Sequence, residues 1–289
     1  AFGSHQMPEL PEIETVRRQL ANTILGANIL RARLLRRDVL RDPSGQRSGG
    51  SRHASWLLEG NQITSILRKG KQLYIEGSSG QGLLVRLGMS GRIALEDNKK
   101  PLPRAHRHAT WWIEGSCGSS IVMHFIDPRR FGGLFVLRDQ KDLQARFWSR
   151  LGPDALTVKA NELSKNLKRT QRVIKIALLD QAVLAGVGNI YADEALHAAC
   201  LSPHRPANTL DDAETTRLAK WIRNRLKAAC RKGGTTFRDY RDPGGEEGGF
   251  ASQLKVYGRK NQQCCSCKTP LRTDLVAART TVWCEQCQG

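Results

Sequence analysis

Residues 264–287 read Cys-Cys-Ser-Cys-Lys-Thr-Pro-Leu-Arg-Thr-Asp-Leu-Val-Ala-Ala-Arg-Thr-Thr-Val-Trp-Cys-Glu-Gln-Cys. Two Cys-x-x-Cys knuckles, Cys264/Cys267 and Cys284/Cys287, stand sixteen residues apart. At this spacing paired thiolates complete a tetrahedral Zn²⁺ shell. Four thiolates leave no coordination position for water or substrate, so the single zinc ion implied is structural and holds a β-hairpin. Cys265 is a bystander thiol. A segment this short has too little apolar surface to fold alone, so metal binding supplies much of its folding free energy.

Five of the eight cysteines fall in the last 26 residues, a clustering that suits a metal better than dispersed disulfides and points to a reducing cytoplasm. Lys plus Arg number 46 against 27 Asp plus Glu, a net charge of +19 that draws in a polyanion. No apolar run of about 18 residues is present to span a bilayer, and no secretory h-region is seen. A chain of 289 residues suffices for two ordinary domains, each with its own core.

Upstream of the cysteines the periodicity is helical over 171–183, 190–200 and 211–231, the last ending at Gly233-Gly234. The first two helices flank Leu184-Ala-Gly-Val-Gly-Asn189, in which Gly186 and Gly188 permit a tight backbone and Asn189 is a good N-cap. A glycine-preceded helix N-terminus is an anion site, here for a DNA phosphate, and Lys165, Lys168, Arg169, Arg172 and Lys175 support that reading over a plain αα-hairpin. Further upstream, β-rich runs at 72–76, 83–87, 110–114, 121–126 and 134–137 indicate an antiparallel sandwich or barrel. One helix, with Ile13, Val16 and Leu20 on a face, precedes them and ends by Gly26.

The fold class is therefore α+β. Residues 1–6 precede Met7 and read as a cloning remnant before the initiator; 8–140 form the β domain, 141–158 a linker, 159–233 the helical domain and 234–289 a loop plus the zinc finger. Residues 42–53 read as a mobile surface loop and 242–249, rich in glycine, as a flexible one.

Six motifs stand in fixed order: Pro8-Glu-Leu-Pro-Glu12, Arg86-Leu-Gly-Met-Ser-Gly91, Asp127-Pro-Arg-Arg-Phe-Gly132, Gly186-Val-Gly-Asn-Ile-Tyr191, Val256-Tyr-Gly-Arg259 and the terminal cysteine pairs. Together they resemble the bacterial formamidopyrimidine-DNA glycosylase family. The resemblance implies an N-terminal β-sandwich flanked by helices, a helix-two-turns-helix domain and a zinc finger, clamping duplex DNA as a monomer. It further implies base-excision repair of oxidised purines, 8-oxoguanine and formamidopyrimidines, with glycosylase and abasic-site lyase steps.

Such a lesion must be flipped out of the duplex. The resemblance assigns the vacated space to Met89, Arg129 and Phe131, and phosphate contacts to His106, Lys175 and Asn189. It makes the Pro8 amine the nucleophile, whose attack on C1′ expels the base and leaves an iminium that acidifies the neighbouring sugar proton. Glu9 is the adjacent acid, Lys71 assists base expulsion and β-elimination, and Arg279 supports phosphate binding and δ-elimination.

Two features depart from the pattern. Pro8 follows Met7 through a peptide bond, so its nitrogen is nucleophilic only once the preceding residues are removed; and 42–53 and 242–249 do not align closely with the family. The sister endonuclease VIII, selective for oxidised pyrimidines, is disfavoured by Leu10 and by the long 238–253 loop. A zinc-containing DNA-binding module without catalysis is the rival of a different class.

Overall fold

The structure, a computed structural model, describes residues 8–42, 44, 53–96, 102–115, 118–236 and 240–289. The leader before Pro8, most of the 42–53 loop and Cys117 lie outside the described residues.

Helix α1 (Leu10–Ile24) begins with Pro11 in its first turn, and the Glu9 N–H donates to Glu12 Oε2 at 2.8 Å to close its N-terminus. Ile13, Val16, Leu20 and Ile24 recur at helical spacing and bury against the β core, whereas Leu10 packs into the helical core of the other half. One helix thus touches both cores.

The strands that follow are β1 (Asn28–Leu34), β2 (Leu40–Arg41), β3 (Ile63–Lys69), β4 (Gln72–Gly77), β5 (Gly82–Arg86), β6 (Arg92–Glu96), β7 (Arg107–Glu114), β8 (Ser120–Ile126) and β9 (Gly133–Leu137), with a short helix α2 (His53–Trp56) between β2 and β3. They form two sheets, ordered β1-β7-β8-β6 and β2-β9-β5-β4-β3. Alternate residues of the first sheet (Ala109, Trp111, Ile113) meet alternate residues of the second (Leu73, Ile75, Leu83, Val85) in one core, so the antiparallel reading resolves to a sandwich. The opposite face of the second sheet, with Tyr74, Leu84 and Leu137, is covered by Leu143 of α3 (Gln140–Arg146).

The second half holds α4 (Ala160–Leu167), α5 (Ile174–Leu179), α6 (Asn189–Ala198) and α7 (Asp212–Arg231), then the hairpin β10 (Arg272–Val276) and β11 (Arg279–Trp283) and a closing turn α8 (Glu285–Gln288). Helix α7 starts where the sequence indicates, because Asp211 and Glu214 exchange backbone bonds at 2.7 and 3.0 Å in a capping box. Helix α5 is shorter than expected. Val173 is extended and bridges Pro206, and the Asp180 carboxylate accepts the Ala182 N–H at 2.9 Å in a turn that stops the helix.

The glycine-rich stretch 242–249 is not the free loop expected. Asp242 accepts from Gln19 Nε2 at 2.5 Å and from the Glu246 N–H at 2.9 Å, and the Pro243 carbonyl accepts the Leu95 N–H at 2.8 Å. Polar groups inside the stretch thus pin it to α1 and β6.

Arg68 fastens the β half to the segment entering the helical half. Its guanidinium donates to Glu14 Oε2 at 2.9 Å and to both Asp154 oxygens at 2.7 and 3.0 Å. Burial alone would raise the Glu14 carboxyl, but bonds from Arg17, Arg68 and Arg18 hold it at about 2. A folded pKa below the ordinary 4.5 stabilises the fold above that pH and is lost as pH falls from 4.5 towards 2. Glu14→Gln should therefore lower stability at pH 7 by about 2–3 kcal/mol and flatten the acid limb in urea melts; a variant curve parallel to the parent's would refute the linkage.

Candidate active site and metal centre

Pro8 and Glu9 lie at the seam between the two halves. Glu9 is 2 % exposed, and its carboxylate accepts the Gly188 N–H at 2.6 Å and the Ile190 N–H at 2.9 Å. These are donors at the N-terminus of α6, where the helix dipole favours an anion. The glycine loop read from sequence as a phosphate site is therefore filled by the chain's own carboxylate. Gly186 is at φ +112°, with its carbonyl accepting the Leu10 N–H at 3.1 Å, and a Cβ there would overlap Leu10. A Cβ at Gly188 would overlap the Glu9 carboxyl and come within 2.6 Å of Lys71 Nζ.

Beneath Glu9 lies a second buried acid. Glu12 Oε1 accepts the Thr235 N–H at 2.7 Å and the Tyr191 hydroxyl at 3.0 Å. Burial raises the Glu9 carboxyl to about 7 against the opposing Lys71 charge, and burial lowers Lys71 despite both glutamates. Pro8, Lys71, Arg86, Gly88, Phe131 and Gln181 are among the residues lining a cavity of about 390 Å³.

On the β side, two turns carry the residues assigned to the vacated base space. Asp127, fully buried, accepts from Ser90 Oγ and from the Gly132 N–H, so the turn bearing Met89 is tied to the turn bearing Arg129 and Phe131. Gly88, at φ +62°, allows their close approach, since a Cβ would lie 2.5 Å from the Phe131 carbonyl carbon. Phe131 is 60 % exposed with the Arg129 guanidinium 6.0 Å from its ring centroid, and Met89 is half-buried. A projecting, solvated phenyl ring is not a core residue. His106 is exposed, whereas His108 is buried against the Asp127 carbonyl at 2.7 Å, so only the former is open to a ligand.

The hairpin carries the last of the assigned residues, Arg279. Its two-residue turn places Ala277 and Ala278 at φ 47° and 58°, and exposed Arg279 follows at once. Burial and the Glu9 and Glu12 charges act on Lys71, and the Arg279 charge reaches it too. Lys175 and Asn189 differ from expectation: Lys175 is fully buried on Asp193 at 2.7 Å, and Asn189 Nδ2 donates to the Thr280 carbonyl at 3.0 Å. The Sγ atoms of Cys264, Cys267, Cys284 and Cys287 all lie within 4.8 Å of one another, matching the edges of about 3.8 Å that a tetrahedral site with bonds of about 2.3 Å requires. That geometry fits one metal ion. His197 Nε2 lies 3.6 Å from Cys264 Sγ, and Glu194 Oε1 accepts the N–H groups of Lys255, Val256 and Tyr257. Glu12, Asp193 and Glu194 were not singled out in the sequence. Their signal was there, since two adjacent acids in the otherwise apolar run Ile190–Leu196 demand buried partners.

Residues 7–134 match the family model described as the formamidopyrimidine-DNA glycosylase N-terminal domain, and 151–241 the model of that family's H2TH domain. The chain is 40 % identical over 287 residues to the formamidopyrimidine-DNA glycosylase of Thermus thermophilus, covering 98 % of this chain and 99 % of the relative. It is 39 % identical over 284 residues to that of Xanthomonas campestris, covering 98 % and 100 %. The crystal structure of the Thermus thermophilus MutM (Fpg) protein superposes with a TM-score of 0.82 at 38 % identity, over 97 % of this chain and 98 % of that one. A Lactococcus lactis Fpg mutant in complex with Fapy-dG-containing DNA superposes with a TM-score of 0.84 at 29 % identity, over 97 % and 99 %.

A sandwich, an H2TH domain and a four-cysteine hairpin define a DNA glycosylase acting on damaged DNA. The chain belongs to the formamidopyrimidine-DNA glycosylase family, whose members combine glycosylase with abasic-site lyase activity. Gly188→Ala should reduce base excision by about a hundredfold while the thermal melt moves by only a few degrees; near-parental excision would show that the contact with Glu9 and Lys71 does not set the site's geometry.

Proposed function

We propose that the protein excises oxidised purines, 8-oxoguanine and formamidopyrimidines, from duplex DNA and cleaves the resulting abasic site by β- and then δ-elimination. The observation that carries this reading is that Pro8 and Lys71 line one cavity while Glu9, buried beside Lys71, is held near neutrality. With Pro8 as the terminal residue, its secondary amine attacks C1′. The C1′–N bond breaks, the base leaves with a proton, and an iminium forms. Glu9, protonated below about 7, donates to the opening sugar ring. Lys71 assists base departure and removal of the C2′ proton, after which the 3′ phosphate leaves. Arg279 steadies the second, δ departure as a fixed positive charge, since a guanidinium is too weak an acid to donate.

Met89 and Phe131 fill the space of the flipped nucleotide, with Arg129 facing the orphaned cytosine. His106 donates to a backbone phosphate, whereas Asn189, committed to the Thr280 carbonyl, serves the hairpin. The cysteine cluster takes zinc, which supplies a fixed tetrahedral joint and no chemistry. The long 238–253 loop, pinned within its described part by Asp242, favours purine over pyrimidine lesions in this reading.

Four measurements test the reading. Borohydride should trap a covalent adduct between an 8-oxoguanine duplex and the Pro8 peptide of protein freed of residues 1–7; a zinc-loaded protein that gives none is a binder and not a lyase. Excision should favour 8-oxoguanine over thymine glycol, and the reverse order would identify a pyrimidine enzyme. The single-turnover rate should decline above about pH 7 as Glu9 loses its proton, a limb that Glu9→Gln should remove along with most activity. Atomic absorption should find one zinc per chain, and Cys264→Ser should lose both the metal and DNA binding.

A further inference from the structure

We infer that Asp193 is a positioning residue for Arg279, and that Lys175 is its strut to the hairpin and not a phosphate-binding cation. The role given to Arg279 rests on the function proposed above. Lys175 is 0 % exposed and Asp193 2 %. The Lys175 ammonium forms an ion pair with Asp193 Oδ1 at 2.7 Å and donates to Thr281 Oγ1 at 2.7 Å and to the Thr280 carbonyl at 3.1 Å. The Thr281 hydroxyl, accepting from Lys175, donates onward to the Arg279 carbonyl at 3.3 Å. The other Asp193 oxygen accepts the Val282 N–H at 3.1 Å, and Asn189 adds a second donor to the Thr280 carbonyl.

Three consecutive residues of β11, from Thr280 to Val282, are thus held by side chains of α5 and α6, the helix that also receives Glu9, and Arg279 is held through Thr281. For Lys175 to reach a phosphate it would have to leave Asp193 as an unpaired buried carboxylate, a costly state. Well-packed apolar residues would often serve stability as well as such a pair. What the pair adds is a fixed distance between the α6 N-terminus and the hairpin arginine.

The test uses full-length, zinc-loaded protein with Pro8 exposed. In Asp193→Asn, amide exchange at Thr281 and Val282 should quicken roughly tenfold, and the ratio of δ- to β-elimination products from an 8-oxoguanine duplex should fall roughly tenfold, with one zinc retained. If that variant does not fold, Lys175→Met combined with Asp193→Leu leaves no buried charge unpaired and takes the same two measurements. Unchanged exchange with an unchanged product ratio overturns the inference. Salt dependence supplies a readout that packing alone does not move. In an Arg279→Ala background, binding to a duplex with a tetrahydrofuran abasic analogue should show the same slope of log affinity on log salt with and without the double substitution. A slope shallower by about one would make Lys175 a phosphate contact and overturn the proposal. If Arg279→Ala alone leaves the product ratio unchanged, the role of Arg279 falls, and exchange and salt slope alone decide the strut.

Discussion

The Glu9 carboxylate, seated on the N-terminus of α6, is the interaction on which the rest of the molecule turns. Its two backbone donors lie 179 and 181 residues along the chain, and meeting them draws the start of α1 between the sandwich and the helical core. The neighbours obey that contact. Leu10 fills the helical side, Ile13 the β side, and Gly186 and Gly188 carry no side chain because Leu10 and Glu9 occupy the space. The same burial that joins the halves opposes ionisation, while the two N–H donors and Lys71 favour it; the balance leaves the acid near neutral pH. A structural joint and the proposed proton donor are thus one group.

The hairpin has a different logic. Its own apolar core is small, comprising Val256, Leu271 and Val282 with the cysteines, so its position comes from polar fastenings and from the metal its thiolates fit. Glu194 gathers three successive N–H groups at 255–257, and Lys175 and Asp193 grip β11. These attachments converge on a turn of two alanines in the left-handed region, a conformation that costs non-glycine residues about a kilocalorie each. The fastenings outweigh that cost.

Much of this was legible in the sequence. The cysteine spacing foretold the cluster, short β-rich runs foretold β4, β5, β7, β8 and β9, and the helical period from 211 to 231 foretold α7, since each signal lies within one stretch of chain. What was not legible depended on distant partners. A glycine loop before a helix announces an anion, yet nothing local says whether that anion is a phosphate or Glu9. Lys175 reads as one of several basic residues until Asp193 and Thr281 are beside it. Helices α3 and α4 are short and weakly marked, and α5 ends early because Asp180 turns the chain. The roles of Pro8, Lys71 and Arg279 came from resemblance, because an isolated proline, lysine or arginine carries no chemical signature of its own.

The long reach of Glu9 also bears on the order of synthesis. Pro8 and Glu9 are synthesised before their seat at Gly188 and Ile190, which follows the sandwich, and the hairpin bearing Arg279 comes later still. Contacts of such sequence separation form late in folding because loop closure must precede them. A nascent or truncated chain therefore exposes a proline and a carboxylate in water, where the acid is ionised and the lysine is remote. On the proposed chemistry, a chain that has not yet made α6 lacks the seat that tunes its acid, so the proton donor comes into being only when the two halves have met.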